Sequence, residues 1–519
     1  MQAAKSRIFK AVSLYIFFSF LGPDHAFAAQ WGDKGYPIYQ IDMSAASQSL
    51  GPIQCKAAHN ENILLVFNIA GVTPDELSVE VHGQTSPMEI EYYVSQVRPI
   101  PADLSQQFYW DGLVPYGSPL MVSVKPLLVA IDFKVLSTHG SGHSQYSIIF
   151  KSNSHQISQT LNLLVYKFAL PDDLPITVMG VFWPNPEWFR PYCSPSQELD
   201  SIYHAYEASL RSYKFNATNL FALPAEEIAN GRNILDYPKF VSQLDSFLNL
   251  GYRSFRIPPL SASRHRDSID AYLKSSSRYF SIMHSYLNSR GLADRAMVKV
   301  WDEPSMADIP KVYDVYKYIK HLAPSFKTES AGGPPDLSLA NVIDIWAVYG
   351  KKYNASRVSA ACSKGQKVWL YANYLHSAAR PPVSQRLIGW YLSACDFSGY
   401  LAWGVNVWRL NPWSHSPAAA DHFRRGVFYY PHPSTGLPLP NLRLQSLRRG
   451  FIDYQYLALL KEKAVQQHID PAAYSRIQAS LSMIGATLRS GGPDVTWQQL
   501  DDLRDQIAQL LDQSIVSAP

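Results

Sequence analysis

The sequence predicts a multi-domain protein with an N-terminal β-sandwich, a (β/α)8 barrel of the TIM type and a C-terminal helical cap. Residues 30–169 contain short β-rich runs separated by turns, and strand and helix alternate repeatedly over residues 170–440. Residues 441–519 contain only helical stretches. A chain of 519 residues exceeds one ordinary domain of ~100–200 residues, which agrees with a division into several domains.

The pattern of residues 30–169 is typical of a β-sandwich. Its runs are rich in β-branched and aromatic residues and are bounded by turn residues. We predict strands at residues 62–69, 77–82, 88–97, 127–136 and 145–150. The segment LPDDLP at residues 170–175 is rich in Pro and Asp, so we place the domain boundary there.

Eight further strands are predicted after this boundary, most of them followed by a helical stretch. Repeated βα units of this length require parallel strands covered by helices, and eight of them in about 230 residues is the span of a closed barrel. An open, doubly wound sheet is the alternative. The predicted strands are 176–182, 217–221, 254–257, 297–301, 327–330, 343–348, 367–372 and 399–403.

The cap is predicted from three helical stretches at residues 443–464, 471–489 and 496–515. An Asp-Pro pair and a Gly-Gly-Pro turn separate them, and both are signals that end or start a helix. We expect the charged residues of segment 448–456 to tie the first of these helices to the barrel.

The first residues are typical of a secretory leader. Three basic residues among the first ten precede an apolar run over residues 11–21, and small residues end at Ala28. We therefore expect residues 1–28 to be a signal peptide cleaved near Ala28, and the mature protein to be secreted or periplasmic. The apolar run is too short for a membrane span of ~20 residues, so no transmembrane segment is expected.

Composition restricts the partners. The 46 basic and 42 acidic residues give a net charge of only +4 without a dense basic stripe, which makes nucleic acid an unsuitable partner. The chain has 32 Tyr and 12 Trp residues, and aromatic faces stack well on sugar rings, although packing accounts for most of them. This composition is compatible with an oligosaccharide or polysaccharide as the partner. The oligomeric state is left open.

The four cysteines do not suggest a metal site. They are widely spaced and form no CxxC pair, so a structural zinc site is not expected. A disulfide between Cys362 and Cys395 and a set of free thiols both remain open for an exported protein. We expect the protein to need no metal and no organic cofactor.

The strongest candidate for chemistry is the segment VKVWDEP at residues 298–304, at the end of the fourth barrel strand. Active sites of such barrels lie at the C-terminal ends of the strands. Asp302 and Glu303 are adjacent, and neighbouring side chains of a regular strand point to opposite faces, so both reach one site only if the backbone bends. Pro304 favours a bend, because it stops the sheet ladder. Paired carboxylates at a barrel mouth suit glycoside hydrolysis, but a helix cap and a surface ion pair are equally good explanations.

Other strand-end side chains are candidates for binding a sugar. Several aromatic and polar residues lie near the ends of the predicted strands, although each one alone fits the core equally well. The candidates are Trp183, Arg256, Trp346, Tyr349, Tyr371, Asn373, Trp403 and Asn406.

Two sets of motifs resemble a known family. The DEP after a strand resembles the Asp-Glu pair of glycoside hydrolase family 123, the β-N-acetylgalactosaminidases that work by substrate assistance. The series LAWGVNVW at 401–408, NPW at 411–413, FYYP at 428–431 and LRLQSLRRGFIDYQYL at 442–457 resembles the uncharacterised C-terminal domain family grouped with family 123. The resemblance covers roughly residues 171–460.

The resemblance implies a retaining β-N-acetylhexosaminidase that acts on a glycan containing N-acetylhexosamine. In such enzymes the 2-acetamido oxygen of the substrate attacks its own anomeric carbon. By the motif, Glu303 would be the general acid/base, and Asp302 would orient the acetamide and stabilise the oxazolinium-like intermediate. This mechanism removes the need for a carboxylate nucleophile.

Two alternatives remain. A glycosidase that acts on a sugar without an acetamido group would need a second carboxylate, such as Asp344 or Glu329. A non-catalytic polysaccharide-binding or assembly protein would keep the barrel without the chemistry, and the intact pair of Asp302 and Glu303 counts against it.

Overall fold

The structure is a computed structural model. It describes residues 35–44, 51–83, 90–101, 108–118, 121–123, 125–194, 198–258, 260, 268–378, 380–408, 411–413, 425–490 and 495–516. The expected leader at residues 1–28 lies outside the described residues and stays a prediction.

Two sheets packed face to face form the N-terminal part of the described chain. One sheet has the order β1-β3-β7-β5-β6 and the other the order β2-β9-β8-β4. In β8 every second side chain is buried from Tyr146 to Phe150, and the Phe150 ring meets Phe67 of the opposite sheet at 5.1 Å between centroids. The strands are Ile38–Asp42 (β1), Ile53–His59 (β2), Asn62–Ala70 (β3), Ser78–Gly83 (β4), Ile90–Pro101 (β5), Phe108–Pro115 (β6), Leu127–Val135 (β7), Gly142–Lys151 (β8) and Gln156–Ala169 (β9).

The next eight strands are parallel and form a closed barrel. They follow one another in chain order around the barrel, and the last strand pairs with the first, with Thr177 opposite Gly399. This closure confirms the predicted (β/α)8 fold and excludes the open sheet. The strands are Thr177–Gly180 (β10), Ala217–Asn219 (β11), Ser254–Arg256 (β12), Ala296–Val298 (β13), Lys327–Gly332 (β14), Ile345–Tyr349 (β15), Lys367–Tyr371 (β16) and Gly399–Ala402 (β17).

The inside of the barrel is a packed core. Met179, Met297, Ala347, Trp369 and Leu401 belong to one buried apolar cluster contributed by five different strands. Since the interior is filled, a substrate can reach only the rim, and the loops after the strands form the mouth.

Helices surround the barrel and continue into the cap, where a short hairpin of Tyr429–Pro431 (β18) and Pro438–Pro440 (β19) precedes the cap helices. The helices are Pro186–Phe189 (α1), Leu199–Ser212 (α2), Ala225–Ala229 (α3), Pro238–Asn249 (α4), Ile269–Ser289 (α5), Ile309–Leu322 (α6), Ala355–Ser363 (α7), Val383–Ala394 (α8), Leu442–Val465 (α9), Pro471–Ala486 (α10) and Trp497–Val516 (α11).

Helix α9 crosses the barrel helix α8 at very short range. A Cβ atom on Gly389 of α8 would lie 1.7 Å from the carbonyl oxygen of Gly450 of α9, so only glycine fits at this crossing. Next to it, the Arg386 guanidinium binds Asp453, with 2.7 Å between Nε and Oδ2, and both side chains are fully buried. Asp453 thus ties the cap to the barrel, as expected for its segment.

Buried ion pairs join the sandwich to the cap. In each of them the carboxylate comes from the sandwich and the cation from helix α9 or α11. The pairs are Asp111–Arg443 at 2.8 Å, Asp132–Arg448 at 2.6 Å, Glu61–Arg449 at 2.6 Å and Glu61–Arg504. Arg448 and Arg449 therefore form ion pairs with the sandwich. Arg448 also lies over the ring of Tyr213, at the end of barrel helix α2, with 4.8 Å to the ring centroid, so segment 448–456 joins the cap to the barrel as expected and to the sandwich as well.

Within the described ranges no helix is long and apolar enough to span a membrane. The four cysteines are free thiols, so of the two possibilities left open the structure contains the unpaired one. No group of three or more His, Cys, Asp or Glu side chains in the described part of the chain is arranged to hold a metal ion.

Candidate active site

The segment that carries Asp302 and Glu303 leaves the barrel wall earlier than predicted. Strand β13 ends at Val298, whereas the sequence predicts a strand as far as Trp301. Glu303 has φ +42°, a left-handed backbone conformation that is uncommon for residues other than glycine. The backbone thus makes the bend that adjacent carboxylates require if both are to reach the mouth.

A glycine at the end of the neighbouring strand packs against this bend. Gly332, the last residue of β14, has φ +133°, and a Cβ atom there would lie 3.5 Å from the Cα of Glu303. The Glu303 backbone therefore packs directly on the end of β14.

Asp302 and Glu303 are both exposed to solvent at the mouth. Lys299, three residues earlier, binds Asp302 with 2.7 Å between Nζ and Oδ1, and the exposed fractions of the two side chains are 17% and 68%. One oxygen of the Asp302 carboxylate is thus held by a cation from the same strand end.

Both carboxylates act on a tyrosine across the mouth. Burial raises the pKa of Tyr371, and the negative charges of Glu303 and Asp302 raise it further. The pKa of Tyr349 is raised by burial and by Glu303, while Arg425 opposes the increase. Both tyrosines thus lie within electrostatic reach of Glu303, and Tyr371 also lies within reach of Asp302.

Tyr349 and Tyr371 are neighbours in the barrel wall. They are register partners in β15 and β16, and their ring centroids lie 5.6 Å apart. The Nδ2 of Asn373 donates a hydrogen bond to the Tyr371 hydroxyl oxygen at 3.1 Å. Three of the predicted sugar-binding residues therefore form one group at the ends of β15 and β16.

Trp183, Trp403 and Asn406 form a second group on the rim. The Trp183 side chain is 44% exposed, and its Nε1 donates to the Trp403 carbonyl oxygen at 3.1 Å. Asn406 is fully buried, and its amide bonds to both the N–H and the C=O of the Trp183 backbone at 2.8 Å. The amide of Asn406 therefore holds the rim in place, and the exposed indole of Trp183 is the free aromatic face of this group.

Arg256 and Trp346 are buried below the mouth. Arg256 forms a forked ion pair with Glu329 inside the barrel, with 2.5 Å between Nη2 and Oε1, and Glu329 has no exposed surface. The Trp346 indole is 3% exposed and donates to the Gly333 carbonyl oxygen at 2.9 Å. Both side chains are committed to the barrel structure.

Asp344, the other alternative carboxylate, lies at the opposite end of the barrel. It immediately precedes β15, where its Oδ2 binds the Lys320 ammonium at 2.5 Å and accepts from the Thr328 N–H at 2.7 Å. This carboxylate is therefore far from the C-terminal strand ends where Asp302 and Glu303 lie.

Lys299 and Arg425 were missed by the sequence analysis. Lys299 is two residues after Met297, which faces the barrel interior, so strand alternation alone points it to the same side. Arg425 follows the last barrel strand by more than twenty residues, and no local pattern assigns it to the mouth.

Known proteins resemble this chain in part of its sequence and in its fold. Residues 240–460 match the family model described as glycoside hydrolase 123, catalytic domain. A family 123 glycoside hydrolase from Clostridium perfringens, studied for glycolipid glycan hydrolysis, has a similar fold, with a TM-score of 0.68 and 13% identity over 90% of this chain and 96% of that chain.

A second solved structure, an endo-β-1,4-mannanase from Thermotoga petrophila, is 12% identical over 55% of this chain and 77% of that chain, with a TM-score of only 0.35. No curated protein matches the sequence. The segment that supplies Asp302, Glu303, Tyr349 and Tyr371 lies wholly within the matched range. Residues 240–460 are therefore similar to the catalytic domain of glycoside hydrolase family 123, and the chain shares its fold with an enzyme of that family.

Proposed function

We propose that the protein is a retaining β-N-acetylhexosaminidase, similar to the N-acetylgalactosaminidases, that uses substrate-assisted catalysis. The observation that carries this proposal is the adjacent pair of Asp302 and Glu303 at the barrel mouth, where both charges act on Tyr371. A pair on neighbouring residues suits an enzyme in which one carboxylate handles the proton and the other handles the acetamido group.

The positions of the alternative carboxylates support this choice over a mechanism with a carboxylate nucleophile. Glu329 is buried in its ion pair with Arg256, and Asp344 is bound to Lys320 at the far end of the barrel. A covalent mechanism needs a second carboxylate about 5–5.5 Å from the acid, free to attack the anomeric carbon. Neither Glu329 nor Asp344 is free in this way.

In the proposed first step, Glu303 donates a proton to the glycosidic oxygen as the C1–O bond breaks. The acetamido oxygen of the same sugar attacks C1 from the opposite face and closes an oxazolinium-type ring. Asp302 accepts a hydrogen bond from the acetamide N–H and stabilises the positive charge of the ring. Water then attacks C1, Glu303 takes its proton, and the ring opens with overall retention of configuration.

Lys299 and Tyr371 fit this scheme. Lys299 binds Oδ1 of Asp302, which leaves Oδ2 for the acetamide N–H. The Tyr371 oxygen accepts from Asn373, so the Tyr371 O–H can donate to the substrate. Trp183, with its exposed ring on the rim, offers a stacking face for a sugar.

The substrate class follows from the same site. We infer an oligosaccharide or polysaccharide with an N-acetylhexosamine at the cleaved bond, and an exported or extracellular location, since residues 1–28 read as a leader. The structurally similar Clostridium perfringens enzyme was studied for glycolipid glycan hydrolysis, which supports a glycan as the substrate.

Hydrolysis of aryl β-N-acetylgalactosaminide and β-N-acetylglucosaminide by the mature chain tests the proposal. We expect turnover with retention, and Asp302→Asn and Glu303→Gln should each lower kcat by ~10²–10⁴-fold. The plain aryl β-galactoside, which has no acetamido group, is the matched control and should not react. Turnover of the plain galactoside at a similar rate would contradict substrate assistance, and binding of a glycan without hydrolysis over days would contradict an enzymatic role.

A further inference from the structure

The sheet between β13 and β14 stops just before the candidate carboxylates. Its last two register pairs are Met297 with Lys327 and Val298 with Thr328. In a continuing parallel ladder, the N–H of Val300 would bind the carbonyl oxygen of Glu329 directly. The two strands separate at this point, and that direct bond is not made.

A tyrosine hydroxyl takes the place of the missing bond. The Tyr316 oxygen accepts from the Val300 N–H at 3.2 Å and from the Trp301 N–H at 3.3 Å, and it donates to the Glu329 carbonyl oxygen at 2.6 Å. One donor and two acceptor positions are all that a phenolic hydroxyl offers, so this group is fully used. Tyr316 and Trp301 have no exposed surface, so water does not substitute for these contacts.

The segment is fixed at its other end as well. Ser305 follows the carboxylates, and its N–H and hydroxyl both donate to Asp308 Oδ2, at 2.9 Å and 2.7 Å. Asp302, Glu303 and Pro304 therefore lie between two anchors, with the Tyr316 hydroxyl on one side and the Asp308 carboxylate on the other.

We propose that Tyr316 is a positioning residue, whose hydroxyl holds the bend that presents Asp302 and Glu303 to the substrate. The role assigned to the two carboxylates rests on the proposed function. The anchor itself rests only on the hydrogen bonds described above. Tyr316 belongs to helix α6, immediately after the bend, so the helix of this βα unit sets the geometry of the strand end that precedes it.

Removal of the hydroxyl should affect catalysis more than binding. In Tyr316→Phe the ring still fills its place, but two buried N–H groups and one carbonyl lose their common partner. The strand end then relaxes, and a misplacement of about 1 Å in a catalytic group lowers rates on the order of 10²-fold. We therefore expect kcat to fall about 10- to 100-fold, while KM changes by less than about threefold.

Tyr252→Phe is the matched control. Tyr252 is also buried, and its hydroxyl donates to the Glu207 carbonyl oxygen at 2.7 Å, just before β12 and thus at the opposite end of the barrel. A general loss of packing or stability would affect the two variants equally. Only Tyr316→Phe should lower kcat and change the pH profile of kcat.

Hydrogen–deuterium exchange of the peptide that covers residues 299–303 tests the anchor without any substrate. In the wild-type chain we expect slow exchange of the Val300 and Trp301 amides, although both lie outside a strand, and faster exchange in Tyr316→Phe but not in Tyr252→Phe. Equal kcat in the two variants, or fast exchange of these amides in the wild-type chain, would overturn the proposal. The wild-type exchange decides the matter even if Tyr316→Phe fails to fold. Absence of hydrolysis by the wild-type chain would count against the proposed function alone.

Discussion

Arg443 of helix α9 and Asp111 of strand β6 form a forked, buried ion pair between the cap and the sandwich. Arg443 Nε lies 3.0 Å from Oδ1 of Asp111, and Nη2 lies 2.8 Å from Oδ2. The remaining Nη1 donates to the carbonyl oxygen of His376, in the loop that follows β16, at 2.7 Å. One guanidinium thus connects the sandwich, the cap and a loop at the mouth of the barrel.

Loss of this pair should destabilise the whole protein. We expect Asp111→Asn to lower the free energy of unfolding by about 3–5 kcal/mol, because it leaves a buried arginine without its counter-charge. Asp200→Asn, which breaks the exposed pair with Lys239, should change it by less than about 1 kcal/mol. Chemical denaturation of both variants measures the difference. Similar losses of unfolding free energy in the two would show that the buried pair stabilises the protein no more than the exposed pair does.

Lys299 should support the reaction through Asp302. In Lys299→Met the Asp302 carboxylate loses the cation that holds it at 2.7 Å, and we expect kcat to fall about five- to tenfold, equivalent to about 1 kcal/mol. Lys299→Arg should restore most of the rate. Lys364→Met, at an exposed site after helix α7, is the control in steady-state assays. A Lys299→Met enzyme as active as the control would exclude this role.

A substitution at Gly332 should disturb the bend at Glu303 through its strained backbone. Both Gly332→Ala and Gly365→Ala place a Cβ at positive φ, +133° and +84°, and each should lower the free energy of unfolding by about 1–2 kcal/mol. Only Gly332 packs on Glu303, whereas nothing lies within 4 Å of the position that a Cβ on Gly365 would occupy. We therefore expect reduced kcat for Gly332→Ala alone. Equal kcat values for the two variants, at equal stability, would show that Gly332 does not affect the site.

Glu207 should make stability depend on pH. Burial raises the pKa of this carboxyl from its ordinary 4.5 to about 8, against the opposing effect of a hydrogen bond from Gln243. The folded chain therefore keeps a proton that the unfolded chain releases above pH 4.5. The contribution of the neutral Glu207 carboxyl to the free energy of unfolding is fully present below that pH. It is lost as the pH rises to about 8.

Glu207→Gln removes this dependence, since an amide can keep the bond with Gln243 without ionising. The stability gained by the variant over the wild type should increase between pH 5 and pH 8, by on the order of 1.4 kcal/mol for each pH unit. Glu226→Gln, on the exposed surface, is the control. His204 is also ionisable, and its Nδ1 lies 3.9 Å from Glu207 Oε2. The same stability measurements on His204→Asn separate its effect from that of Glu207. A gain that is the same at pH 5 and pH 8 would contradict the prediction.

Most of the barrel strands were predictable because a short β-rich run followed by a helical stretch is a pattern that local sequence contains. The position at which β13 ends was not predictable, because it depends on the hydroxyl of Tyr316. In the sequence of its helix, Tyr316 cannot be distinguished from an aromatic residue that only fills the core. The ion pair of Arg256 was not predictable, since a basic residue in a strand has the same local pattern whether it faces a ligand or a buried partner. Its partner Glu329 is 73 residues away, and only the closed barrel brings the two together.

The ion pairs between sandwich and cap also relate to the order in which the chain is made. Glu61 precedes its partner Arg504 by 443 residues, and Asp111 precedes Arg443 by 332. While the polypeptide emerges, the carboxylates of the first domain exist long before their counter-charges. The sandwich can complete its buried electrostatics only when the last helices have been synthesised. The sandwich is therefore unsuitable for expression as a separate domain. Removal of helix α11 should destabilise the sandwich, although the two are far apart along the chain.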